Sequence, residues 1–270
     1  MRVPRWPVLG AVAVSALILS GVATAVGPWP GLARSVSTAD GVRYTATRTA
    51  GSTTVRAIRG GQVLATTTVE GSFGIPAVTS NGLAGGLSPD GSLLVLAEPP
   101  TYQGLRSTSK LAVLATKPLA LRNTVALPGE FGFDALSPDG RTLYLIEHKS
   151  TSNLIAYRVR AYDLRAERLL SRVIVAKGET ATMSGYPVAR ATPKNGTWVY
   201  TLYTRQSGAT FVHALNTPQR FAVCIDLPWK PAGTNAWQGR LVLSSSSHTL
   251  VVQANGRAVA KIDTRTFRVR

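Results

Sequence analysis

The sequence predicts an all-β chain assembled from about five copies of a four-stranded antiparallel unit, and three observations carry that prediction. A short hairpin motif recurs about every fifty residues. Val, Thr, Tyr and Leu gather in short runs cut by 25 Gly and 16 Pro, the pattern of strands between turns. No amphipathic stretch of helical length follows the N-terminal segment.

The motif is clearest at Leu87-Ser88-Pro89-Asp90-Gly91-Ser92-Leu93-Leu94 and Leu136-Ser137-Pro138-Asp139-Gly140-Arg141-Thr142-Leu143. A weaker copy is Thr192-Pro193-Lys194-Asn195-Gly196-Thr197-Trp198, and a decayed one is Leu243-Ser244-Ser245-Ser246-Ser247-His248-Thr249. Pro presets φ for a turn, Asp bonds back to the local backbone, and Gly accepts the left-handed conformation that closes a hairpin. Asp90, Asp139, Asp163 and Asp263 therefore read as backbone caps rather than general acids. Ser247 stands where Gly is wanted, at a cost of about 1 kcal/mol, so that turn is expected to relax or widen.

A second hairpin follows at a regular delay, as in Ala161-Tyr162-Asp163-Leu164, Ala214-Leu215-Asn216-Thr217 and Lys261-Ile262-Asp263-Thr264. Each unit is thus a meander of strands a to d, with tight turns joining a to b and c to d. Residues 42–69 offer three more strands of the same style before the first clear motif.

This order of Ser-Pro-Asp-Gly turn, short apolar strand, loop and Ala-Tyr-Asp-Leu hairpin resembles the YVTN-type and WD-like repeats of exported bacterial β-propellers. The resemblance implies four-stranded blades at about 40–71, 72–129, 130–178, 179–229 and 230–270. Length is tight for five blades, leaving a closed ring, an open arc and a shortened chain as alternatives. Residues 34–39 are the candidate for a missing inner strand. A two-sheet sandwich is the competing fold, but it would not explain a four-strand period.

Residues 1–33 read as a signal peptide or membrane anchor, expected as an N-terminal hydrophobic helix ahead of a propeller domain at 34–270. Arg2 and Arg5 precede an apolar stretch at 8–26, and Ala23-Thr24-Ala25 has the small-x-small form of a cleavage site. The charge order places the remaining chain outside the cytoplasm, secreted or anchored. Membrane contact through this segment depends on its retention.

Thirty Lys and Arg against 13 Asp and Glu give a net charge of +17, which suits an anionic partner. The charges are dispersed and no nucleic-acid motif accompanies them, so nucleic acid is not an expected partner. Cys224 is the sole cysteine, which excludes an internal disulfide and a Cys-x-x-Cys zinc site.

In a meander the a–b and c–d turns share one face, while b–c loops and d–a connections share the other. The second face is the expected binding side. Its d–a connections are placed at 71–86, 128–134, 178–190 and 228–240. Tyr102, Arg106, Tyr186, Arg190, Trp229, Lys230, Trp237 and Arg240 gather there, an aromatic and basic set suited to stacking and ion pairing. Packing between blades is the competing role for Trp229 and Trp237.

His148, His213 and His248 fall on different predicted elements, and Glu147 and His148 point to opposite faces of a strand. No catalytic, metal or cofactor constellation emerges. Asn195-Gly196-Thr197 fits a glycosylation pattern but is more simply a turn. The reading that follows is a non-enzymatic ligand- or protein-binding scaffold of the cell envelope, its partner a protein or an anionic envelope ligand. The alternative is a lactonase-like propeller hydrolase with a central metal, which requires acidic and histidine side chains to converge at the channel mouth.

Overall fold

The computed structural model describes residues 30–101, 104–153, 155–231 and 233–270, so the apolar stretch at 8–26 lies outside the described residues. Among the described residues no helix is long and apolar enough to cross a membrane. β1 (Leu32–Ala33) is followed by a four-stranded antiparallel sheet, β2 (Ser35–Ser37), β3 (Arg43–Thr49), β4 (Ser52–Arg59) and β5 (Gln62–Glu70). This is blade 1, and residues 34–39 do supply its inner strand.

Blade 2 comprises β7 (Leu93–Ala97), β8 (Thr108–Thr116) and β9 (Leu119–Pro128). Its inner edge is interrupted. Gly74 and Leu87 pair with Ala97 and Leu94, and the chain between them leaves the sheet. β6 (Ile75–Pro76) pairs with β1, Ala77 bridges Ala84, and a turn at Thr79-Ser80-Asn81-Gly82 closes this central hairpin. The Ser80 amide donates to the Pro187 carbonyl at 2.8 Å, tying the tip to blade 4. Gly86 returns the chain to the sheet at φ +94, where a Cβ would stand 2.5 Å from the Val95 carbonyl oxygen. Only glycine fits there.

Blade 3 contains β10 (Glu130–Leu136), β11 (Thr142–His148) and β12 (Ala156–Asp163). The outer edge of β12 is shared by β13 (Arg168–Leu169), Ile174 and β14 (Met183–Ser184). Blade 4 is β15 (Tyr186–Ala191), β16 (Trp198–Thr204), β17 (Thr210–Asn216) and β18 (Phe221–Asp226). A short 3-10 turn, Gly233–Gln238, leads into blade 5: β19 (Arg240–Leu243), β20 (Thr249–Ala254) and β21 (Arg257–Asp263). Backbone bonds between Lys261 and Arg270 add a short fourth strand.

The tight turns follow the chemistry expected of them. Ser88 Oγ donates to Asp90 Oδ1 at 2.6 Å, the Ser92 amide donates to the same oxygen at 3.0 Å, and Gly91 is left-handed. Ser137, Asp139 and Gly140 repeat this geometry. Asp163 and Asp263 each accept two amide bonds at 2.9 Å.

One expectation fails. The Ser247 turn does not relax: Ser247 keeps φ 59, its amide donates to the Ser244 carbonyl at 2.8 Å, and Ser244 Oγ accepts the Thr249 amide at 3.1 Å. The surrounding hairpin bonds, together with a 2.6 Å bond from Thr264 Oγ1 to the Ser247 carbonyl, hold the strained residue in place. A further, one-residue-shorter copy at Thr38-Ala39-Asp40-Gly41 keeps the Thr38 Oγ1 to Asp40 bond, the Val42 amide bond to Thr38 Oγ1 and the Gly41 amide bond to the Thr38 carbonyl. It lacks the proline that made the others conspicuous.

Among the described residues four apolar clusters each straddle two consecutive blades, from 1–2 to 4–5. Among the described residues no cluster joins blade 5 to blade 1. Tyrosines at one position of the second strand reinforce these joints. The Tyr144 hydroxyl donates to the Thr217 carbonyl in blade 4, while Tyr44 and Tyr200 reach Thr116 and Thr264 of the following blades. At the joint between blades 2 and 3 the equivalents are Val95 and Leu164, an apolar pair.

Candidate functional site

Two openings occupy the face that carries the b–c loops and d–a connections. The first is a groove of about 920 Å³ between the tip of the central hairpin and blade 5. Asn81, Gly82 and Leu83 form one side, while Trp237, Arg240 and Val242 form the other. Leu83 and Val242 are 46% and 43% exposed, a high value for apolar side chains facing one gap. Tyr186 packs edge-on against Trp237, with ring centroids 5.6 Å apart. The last turn before β19 sets this position, because Gly239 has a Cβ site only 2.8 Å from Leu202 and 3.2 Å from Trp229.

The second opening is a smaller cavity at the centre, about 60 Å³ in volume. Its lining comes from the central hairpin and blades 2, 3 and 4, including Val78, Phe131, Phe133, Ile146, Tyr157 and Tyr203. Tyr157 stacks on Tyr203 at 5.2 Å, and Tyr203 stacks on Phe211 at 5.2 Å. The charged side chains at the cavity are tied into ion pairs. Arg190 forms a buried ion pair with Asp134, donates to the Asp134 carbonyl at 2.6 Å, and donates to Thr201 Oγ1 at 3.0 Å. Arg106 bridges Glu98 at 2.9 Å and Glu130 at 3.0 Å.

Burial governs titration here. His148, whose Nδ1 lies 3.3 Å from the Ala156 carbonyl, is pushed down to about 4, as is His213 behind the cavity. Both imidazoles are neutral at neutral pH. Burial raises the phenols of Tyr157 and Tyr203 above their ordinary range. Cys224, with Sγ 3.9 Å from Met183 Sδ, is pushed up to about 11, which leaves it protonated and unreactive. Among the described residues no group of three or more His, Cys, Asp or Glu side chains is placed to hold a metal ion.

No protein-family model and no curated protein matches this sequence. Solved structures do. The chain is similar to the Dos1 propeller at 12% identity and a TM-score of 0.50, over 84% of this chain and 53% of that one. It is similar to a chain of the mitotic checkpoint complex at 13% identity and a TM-score of 0.51, over 100% of this chain and 73% of that one. The Cps50 (Swd1) β-propeller domain of Myceliophteria thermophila follows at 13% identity and 0.49, over 88% and 67%. The fold is a β-propeller.

On this propeller the eight residues singled out from sequence divide into three groups. Arg190, Trp237 and Arg240 line the groove, with Tyr186 behind Trp237. Arg106 is committed to the Glu98–Glu130 clamp, Trp229 packs in the joint between blades 4 and 5, and Lys230 is exposed away from both openings. Tyr102 lies outside the described residues. Tyr186 and Arg190 belong to strand β15 rather than to a connecting loop, and Glu130 to Asp134 belong to β10. These inner strands lack the Val-rich alternation that marks a strand, because their residues face the crowded channel. Sequence reasoning missed Glu130 and Asp134 for that reason. The available signal was an acidic pair flanking Phe131 and Phe133 just before the second Ser-Pro-Asp-Gly turn.

Proposed function

We propose that this propeller is a non-enzymatic binding module outside the cytoplasm that takes an acidic segment of a partner protein in the groove beside blade 5. The observation that carries this reading is the convergence of Trp237 and exposed Arg240 with exposed Leu83 and Val242 around one 920 Å³ groove, over Arg190, which is paired with Asp134. Such a surface offers an aromatic anchor, apolar contact and positive charge together, the composition of energetically dominant interface residues. A chain of net charge +17 also steers acidic partners toward it. The extracytoplasmic setting rests on the order of Arg2, Arg5 and the apolar stretch that follows.

The test is fluorescence anisotropy with a labelled polyglutamate peptide bearing one aromatic residue. Binding at low salt should weaken about tenfold in Trp237→Ala or Arg240→Ser, corresponding to about 1.4 kcal/mol, and should fall as salt rises. Affinity that is the same in both variants and the unaltered protein overturns the groove assignment.

A further inference from the structure

We propose that the channel opening on the opposite face, that of the tight turns, binds a small amphipathic carboxylate, with the alkyl chain inside and the carboxylate at the mouth on Lys194. This goes beyond the groove reading, and the two sites share only Leu83 and Arg190. The opening holds about 290 Å³ and is separated from the smaller central cavity by Val78, Phe133 and the Asp134–Arg190 ion pair, which line both. The chain from Leu83 to Leu87 forms one wall, and Leu136 of blade 3 with Val199 of blade 4 forms another. Pro89 in the blade 2 turn and Pro193, Lys194 and Gly196 in the blade 4 turn make the rim. These two turns approach so closely that a Cβ on Gly196 would stand 2.1 Å from Pro89 Cγ.

The charge at this rim comes from an irregularity in the repeat. In the tight turn between the first two strands of each blade, the amide of the fourth residue donates to the carbonyl of the first: Gly41 to Thr38, Gly91 to Ser88, Gly140 to Ser137, Gly196 to Pro193 and Ser247 to Ser244. The second residue of these turns is accordingly Ala39, Pro89, Pro138, Lys194 and Ser245. The inserted residue in Thr192-Pro193-Lys194-Asn195-Gly196 moves the proline out of that position and puts a lysine there, the one charged side chain of the five. The turn does not need it, because Asn195 Oδ1 accepts the Thr197 amide at 3.2 Å and Thr197 Oγ1 at 2.9 Å. Lys194 is exposed, and its ammonium group pairs with no described residue. Asp134, the only acidic side chain lining the opening, is already balanced by Arg190. The opening therefore carries one uncompensated positive charge.

An ammonium ion over an apolar recess selects a ligand that is anionic at one end and apolar along the rest. Burial of the alkyl chain supplies affinity in proportion to the area it removes from water. The ion pair at the exposed rim adds less affinity and sets the preferred sign of charge. A volume of about 290 Å³ stands at the small end of ligand sites, which begin at about 300 Å³, so it suits an alkyl chain of medium length rather than a peptide segment.

Calorimetric titration of the full chain with octanoate, butyrate, 1-octanol and octylammonium at constant ionic strength tests the proposal. Octanoate should bind saturably, with butyrate and octylammonium about tenfold weaker or more. Lys194→Met keeps an unbranched side chain and removes its charge, so octanoate should weaken about three- to fivefold and lose its advantage over octanol. Lys194→Glu should weaken octanoate about tenfold or more. Both variants leave the Asn195 bonds in place, and Lys177→Met, at an exposed lysine outside the opening, should change nothing. Octylammonium or butyrate binding as tightly as octanoate, or an octanoate affinity that is the same in Lys194→Glu and the unaltered protein, overturns the site. Arg240→Ser should leave octanoate binding unaltered while weakening polyglutamate, so failure of this opening and failure of the groove are told apart.

Discussion

The middle blades and the end blades of this propeller are built from differently patterned strands. In blades 2 and 4, β7 and β17 are buried at every residue. In blades 1 and 5, β4 and β20 alternate, with every second residue buried. A strand with neighbours on both faces is buried throughout, as β7 and β17 are, whereas a strand covered on one face alternates; β12 of blade 3 departs from this, with Arg158 and Arg160 half-buried. The free face of blade 1 carries Thr45, Thr47, Thr54, Arg56, Thr66 and Thr68, and that of blade 5 carries Arg240, Gln253 and Lys261 around Val242 and Val251. Both free faces carry exposed basic residues, Arg56 on blade 1 and Arg240 and Lys261 on blade 5, which opposes their pairing with each other. Where a closing joint would need the tyrosine link, the equivalent residues are Val251 and Gly60. Strand periodicity thus encodes how many neighbours a blade has.

The sharpest way to break this comparison is to truncate one apolar side chain in each region. Leu145 is fully buried in the joint between blades 2 and 3, so Leu145→Ala should cost about 2–5 kcal/mol. Val242→Ala, on the free face of blade 5, should change stability by no more than about 0.5 kcal/mol. Urea unfolding measures both. Equal losses would mean that the fifth blade is covered and that the arc is closed in solution.

What the sequence reveals of this molecule divides along a physical line. The turns are legible because Asp90, Asp139, Asp163 and Asp263 bond within a few residues of themselves, so a short window contains the whole interaction. The groove is partly legible, since Trp237 and Arg240 stand in one connection. The central cavity is not. Glu130 meets His148 only through the register of β10 on β11, and Tyr157 meets Tyr203 across a blade joint. The central hairpin is hidden too, because it interrupts an inner strand where the repeat predicts continuity, and its glycines at 82, 85 and 86 look like an ordinary loop until Gly86 is seen against the Val95 carbonyl.

A smaller effect tests the joints themselves. Tyr144→Phe keeps the ring in its apolar setting and removes the bond to the Thr217 carbonyl, so it should destabilise by about 1 kcal/mol. Phenylalanine at Val251, on a face with no following blade, should by contrast not stabilise. A stable Tyr144→Phe protein with an unchanged melting temperature would show that burial alone sets the order of the blades.

The smallest effect expected is at the fifth turn of the repeat, in blade 5. Ser247→Gly removes the left-handed penalty of about 1 kcal/mol for a residue with a side chain, but glycine gains freedom in the unfolded chain worth roughly 0.5–1 kcal/mol. The bond from Thr264 survives because it uses the backbone carbonyl. The two terms nearly cancel, leaving stabilisation of at most about 0.5 kcal/mol, to be read from paired thermal melts. A loss of stability would mean that the serine side chain supports the turn, so that the decayed copy of the motif is held by a different set of bonds from Gly91 and Gly140.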